Sequence, residues 1–200
     1  SVPGLPQAEP SLKITYVQPK DFTGLLRYVR NILVVTIDPT AYTKVSVGYE
    51  NNVWARGQVV VSLKAPNTES IVEYSKTHEK ALVNFFVKVE MNRAIEQLQK
   101  EYSMVVMDNL KSDLNVMLNA PANFTYYKDT TDFFWSSNNA NTGRMDLIVY
   151  TFPYTDPNTF TEEYLVAKRD SVLKANLPGS FPGSYMQTET RAGVEYTPIT

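Results

Sequence analysis

An α+β fold, with a largely antiparallel sheet packed against one long central helix, is predicted by three observations. β-branched runs at residues 32–37 and 58–64 stand between turn residues and read as strands. From Glu69 onward apolar residues recur at helical spacing through Ile71, Leu82, Phe85, Val89, Ile95, Leu98 and Tyr102. After Pro121 the pattern returns to short strands. The composition, 43% apolar and 20% charged over 200 residues, is that of a folded chain with a core of its own.

Residues 1–10, with Pro3, Gly4, Pro6 and Pro10, read as an extended connector, and residues 11–200 as a single α+β domain. Residues 11–17 alternate polar and apolar and read as a strand. Pro19, Lys20 and Asp21 open a short helix with Leu25, Leu26 and Val29 on its apolar side. The run 32–37 suits a central strand and ends at Asp38-Pro39-Thr40. Residues 44–49 and 58–64 give two more strands. Pro66 stops the second, and Asn67 or Thr68 can cap the long helix. A further helix covers residues 104–114. Strands follow at 124–127, 133–136 and 145–152, then a helix from the Thr155–Thr159 turn to about residue 175. Residues 185–191 and 194–200 could pair as a hairpin across Ala192-Gly193.

The chemistry that the residue types exclude is wider than what they allow. With no cysteine, disulfides, thiolate metal sites and thiol catalysis are ruled out. His78 is the only histidine and lies along the long helix, where a packed or rim side chain is the simplest reading. No cofactor and no transition-metal site is therefore expected. No glycine-rich loop has the spacing of a nucleotide cradle. Carboxylates for acid–base hydrolysis are present as Asp129 with Asp132, Glu162 with Glu163, and Asp146. Glu162 and Glu163 fall in a first helical turn, where the helix dipole accounts for them. A net charge of −2 gives no electrostatic reason for a nucleic-acid partner. No apolar run approaches the ~20 residues of a membrane span.

One faint repeat has functional content. Asn51, Asn52, Trp54 and Arg56 precede one strand, and Trp135, Asn138, Asn139 and Arg144 precede another; each set is followed by a helix. Asparagine amides, a guanidinium fork and a flat indole together suit a sugar ring or a peptide backbone. These eight residues form the candidate binding site. The competing reading makes the indoles core anchors and the asparagines turn material. The repeat would divide the domain into halves 11–120 and 121–200, a pseudo-duplicated arrangement.

Residues 2–7 (VPGLPQ), 52–55 (NVWA), 135–140 (WSSNNA), 150–160 (YTFPYTDPNTF) and 164–178 (YLVAKRDSVLKANLP), followed by Gly183-Ser184-Tyr185-Met186, resemble a family of Bacteroidetes envelope lipoproteins. That family is catalogued only as a domain of unknown function (DUF4837-like). The resemblance covers nearly the whole chain and is weaker between Met104 and Lys128. It implies a periplasmic or outer-membrane-associated location, a lipid anchor upstream of Ser1 and further strands after Thr200, so that this chain is a fragment of a longer one. It implies no catalytic residues. Asn123-Phe124-Thr125 matches the N-glycosylation triplet, and Asp129-Thr130-Thr131 and Asp170-Ser171-Val172 resemble an envelope O-glycosylation triplet. A non-catalytic cell-envelope module that binds a protein or a glycan is the leading expectation. A carboxylate-dependent envelope hydrolase and a structural or assembly factor are the alternatives.

Overall fold

The computed structural model describes residues 10, 12–191 and 193–194. Among these residues the architecture is α+β, with three α-helices and two three-stranded sheets. The chain divides into two compact units, residues 10–94 and residues 95–200. The division lies inside the long helix instead of near residue 120, because each sheet collects its own helical cover.

In the first unit β1 (Asn31–Ile37), β2 (Ser46–Asn51) and β3 (Val59–Ala65) form a sheet in the order β1-β3-β2. β1 runs parallel to β3, and β2 antiparallel to it. β3 is the only one of the three with a neighbour on each side. Its Val59, Val60, Val61, Leu63 and Ala65 are all buried. α1 (Thr68–Lys100) follows at once, and Asn67 accepts the Ser70 amide on Oδ1 at 2.9 Å, a cap of the kind Pro66 and Asn67 predict.

α1 has 33 residues and extends about 50 Å, against roughly 23 Å for a seven-residue strand. It overhangs its sheet. Ile71, Leu82, Phe85 and Val89 are consequently half-buried and not enclosed as the stripe predicts, and Ile95 is exposed. A polar network holds α1 to the sheet. Arg93 donates to Asn31 Oδ1 at 2.7 Å, to Glu90 Oε1 at 2.5 Å, and to the carbonyls of Arg30 and Gly57 at 3.1 and 2.7 Å.

In the second unit β4 (Tyr126–Thr130), β5 (Phe133–Ser137) and β6 (Asp146–Tyr150) form an antiparallel meander in sequence order. β5 is the enclosed strand, with Phe133 and Phe134 buried on opposite faces. Phe134 packs with Val106 and Leu110 of α2 (Met104–Leu114), with Ala120 and with Phe124. On the other face Lys128 donates to the Asn176 carbonyl at 2.8 Å, which caps the last turn of α3 (Glu162–Asn176). Ser103 caps α2 and donates to the Phe124 carbonyl at 2.5 Å. The two sheets differ in strand order and direction, so the predicted repeat has no counterpart in topology.

Two local expectations fail. Residues 12–18 form no strand, and Ile14 and Tyr16 are exposed, because alternation yields a strand only where a partner edge is supplied. The helix expected after Pro19 is two 3₁₀ turns, Pro19–Asp21 and Gly24–Tyr28, separated where Gly24 takes φ +54°. The hairpin expected over residues 185–191 and 194–200 lies largely outside the described residues, as do residues 1–9; Tyr185 bridges to Pro178.

The difference in enclosure is measurable. Phe134→Ala is expected to cost ~3–5 kcal/mol in chemical denaturation. The half-buried Phe85→Ala is expected to cost ~1–2 kcal/mol.

Candidate functional sites

The two tryptophan loops are built by hydrogen bonds that consume most of their polar groups. In the first, Asn52 adopts φ 58° and accepts the Gly57 amide on Oδ1 at 2.6 Å. Gln58, fully buried, is the keystone. Its Nε2 donates to the carbonyls of Arg27 and Val29, both at 2.7 Å, and its Oε1 accepts the Trp54 amide at 3.0 Å. Trp54 rests edge-on against Phe22 at 5.6 Å and keeps 38% of its surface exposed. Asn51 ends β2, exposed and paired with Val59, and Arg56 is exposed in the turn.

In the second loop Asn138 accepts the amides of Ala140 and Met145 on Oδ1, at 3.2 and 3.0 Å. Asn139 takes φ 47° at the turn. Trp135 lies within β5, the strand expected at 133–136, and precedes β6; it is half-buried, and its indole donates to Asp146 at 2.9 Å. Arg144 sits 6.0 Å from the indole and bonds the same carboxylate at 3.0 Å. Burial raises the affinity of Asp146 for a proton, but the bonds from Arg144, Trp135 and Ser137 outweigh it and hold its carboxyl below the usual range. The structure thus brings Trp135 and Arg144 together, along with Asn138 and Asn139, and Asn52 with Trp54. Asn52 and Asn138 serve as turn builders. His78 is exposed on α1 and stacks on Tyr74 at 4.0 Å.

A different feature was missed by sequence reasoning. Between β2 and α1 runs an apolar crevice of about 240 Å³, lined by Val47, Tyr49, Val61, Tyr74, Leu82 and Phe85, with Gly48 and Ala81. Tyr49 lies 5.1 Å from Phe85 yet is 60% exposed. Gly48 has no side chain, and a Cβ there would meet nothing within 4 Å. On the other face of β2 a second hollow of about 250 Å³ is lined by Ser46, Glu50, Ser62 and Lys64. β2 is an edge strand. Its ladder continues to Asn52, whose amide donates to the Gln58 carbonyl, so even-numbered residues bond β3 and the main-chain groups of Val47 and Tyr49 point outward. The available signal was Gly48 inside a strand-like run.

A third arrangement involves carboxylates. Asp113, at the end of α2, lies beside Asp129 of β4. Burial and the neighbouring Asp113 carboxylate raise Asp129, while Ser112 and Asp129 hold Asp113 low. Asp132, Glu162 and Glu163 are exposed. No group of three or more acidic or histidine side chains is placed to hold a metal among the described residues. No described helix is long and apolar enough to cross a membrane.

These features define a two-module α+β chain with an aromatic crevice at a sheet edge. Residues 103–200 match the family described as a domain of unknown function, DUF4837. Residues 1–99 match a separate one, DUF8532. The resemblance seen in the sequence therefore rests on the second segment, including the stretch after Met104 where it looked weaker; residues 2–7 and 52–55 fall in the other family's segment. No curated protein and no solved structure matches.

Two outcomes check these assignments. Gln58→Leu removes bonds to three main-chain groups in two segments and is expected to cost ~2–4 kcal/mol in thermal or urea unfolding, since it leaves these part-buried groups unpaired. Asp146 stabilises the fold above the unfolded carboxylate value of about 3.9, and that contribution disappears as pH falls through its lowered folded value. Asp146→Asn is expected to flatten that acid limb, followed through tryptophan fluorescence.

Proposed function

We propose that this chain is a non-catalytic binding module of the cell envelope whose partner, a protein or a glycan, occupies the crevice between β2 and α1. The observation that carries the reading is the juxtaposition of exposed Tyr49, the crevice floor of Val61, Leu82 and Phe85, and outward main-chain groups at Val47 and Tyr49. An apolar slot beside an unpaired strand edge favours an extended protein segment, which adds main-chain hydrogen bonds and places alternate side chains in the slot. A glycan is the weaker candidate at the tryptophan loops, because Asn52 and Asn138 are engaged within their own turns. The envelope location and the lipid anchor rest on the family resemblance alone. Among the described residues, the absence of a spanning helix is compatible with either side of a membrane.

A peptide-display selection on the purified chain tests the site. Enriched peptides should carry alternating apolar residues and lose roughly ten-fold or more in affinity, about 1.4 kcal/mol, for Tyr49→Ala, which removes an aromatic wall of the crevice. Peptides indifferent to Tyr49→Ala while its circular dichroism is unchanged would contradict it.

The carboxylate hydrolase has one observation in its favour. Asp113 and Asp129 are pushed apart in proton affinity, which is the division of labour an acid–base pair uses. They lie outside both hollows. Glycoside hydrolysis with a bell-shaped pH profile that vanishes in Asp113→Asn and Asp129→Asn would move the assignment to that reading.

A further inference from the structure

The opposite edge of the same sheet has a different character. Among the described residues β1, Asn31–Ile37, is an edge strand of sequence NILVVTI. It has no lysine, proline or bulge, the devices that normally protect an edge from pairing. Leu33, Val35 and Ile37 share the face toward α1 with Val61, Leu63 and Ala65, their partners in β3, yet remain 44%, 47% and 47% exposed. The long helix leaves this row uncovered.

The hydrogen-bond phase of the strand is set by its two ends. The Val59 amide donates to the Arg30 carbonyl, and the Asp38 amide donates to the Ala65 carbonyl. In a parallel ladder the bonded residues of one strand alternate. Even-numbered residues of β1 therefore bond β3, and the main-chain groups of Asn31, Leu33, Val35 and Ile37 point away from the sheet.

The charges at those ends are complementary to each other. Arg30 and Asp38 stand four residues to either side of Val34, with no charged residue between them. The Arg30 side chain is 70% exposed while it pairs with Glu90 at 3.0 Å. Asp38 is half-buried and takes its local bonds from Thr40 and Ala41 on Oδ1, so that among the described residues Oδ2 has no partner. A strand with this pattern matches an antiparallel copy of itself.

We propose that β1 pairs antiparallel with β1 of a second copy of this chain about a two-fold axis at Val34, joining two three-stranded sheets into one of six strands. The charges select the register, and the ladder phase is compatible with it. Placing Arg30 opposite Asp38 of the second copy puts Leu33 opposite Val35 and Asn31 opposite Ile37. All of these are odd-numbered residues with outward main-chain groups, so they become hydrogen-bonded pairs. Val34 meets its own copy in a non-hydrogen-bonded pair, where Cα atoms approach to about 4.5 Å. Leu33, Val35 and Ile37 then continue into the same row of the second copy, and the exposed apolar strip is covered. The interface is isologous and closes on itself, so it yields a dimer and not a fibre. β2 and its crevice lie at the far edges of the joined sheet.

The absence of cysteine makes the test clean. Sedimentation of the wild-type chain is expected to show a dimer. Val34→Cys should oxidise to a disulfide-linked dimer, because the separation at the axis falls within disulfide range. Leu33→Cys, which faces Val35, should cross-link far less. Arg30→Asp and Asp38→Arg should each weaken self-association roughly ten-fold or more, about 1.4 kcal/mol. Mixed in equal amounts they should form a heterodimer, since each reversed charge then meets its opposite. A monomeric wild type would overturn the proposal. So would a dimer in which Val34→Cys cross-links no better than Leu33→Cys, or one in which mixing the two charge variants restores nothing.

Discussion

Each unit depends on one enclosed strand. Among the described residues β3 and β5 are the only strands of their sheets with a neighbour on each side, and their side chains supply much of the buried apolar surface. Burial stabilises in proportion to area, so a three-stranded sheet concentrates its stability at the centre and leaves two edges. In the second unit β5 is covered on one face by α2 and is tied to the end of α3 on the other through Lys128 and Asn176. In the first unit the cover is α1, and it is not symmetric. Phe85 reaches Tyr49 on β2, while Leu33, Val35 and Ile37 on β1 stay open. Both functional proposals arise from that asymmetry.

Polar side chains then fix what burial leaves loose. Gln58 joins two stretches of main chain, Arg27–Val29 and Trp54, with one amide group, which no apolar residue of that size could do. Arg93 uses its fork to join α1 to Asn31, Arg30 and Gly57. With Arg93 and Glu90 only partly buried, this network orients the helix more than it stabilises the fold. In the second unit Asp170 accepts from the Thr188 amide and hydroxyl, at 2.9 and 2.6 Å, and so ties the segment after α3 to that helix.

Much of the fold was legible because local signals and packing agreed. The helix read at residues 104–114 is α2 at the same bounds, since Ser103 supplies a cap and Val106 and Leu110 a buried face. β1, β3 and β5 were visible as β-branched or aromatic runs. Residues 12–18 misled because alternation says nothing about whether an edge is present to receive it. The candidate site was less legible. Trp135 looked like a free indole since its partner, Asp146, lies eleven residues away across a hairpin that only the register reveals. The crevice stayed hidden because Leu82 and Phe85 carry the same helical spacing whether they are enclosed or line a slot. Gln58 gave no signal either, for a glutamine at a strand start is usually solvated.

Residue-resolved amide exchange on the isolated chain tests the central claim most directly: one shielded strand per sheet, with β2 open as a receiving edge. The account predicts that Val61 and Leu63 of β3 and Phe134 of β5 exchange slowest. Val47 and Tyr49 should exchange fast when alone and slow when a selected peptide is added. Val47 and Tyr49 as protected as Val61 in the isolated chain, or unchanged by a bound peptide, would contradict it.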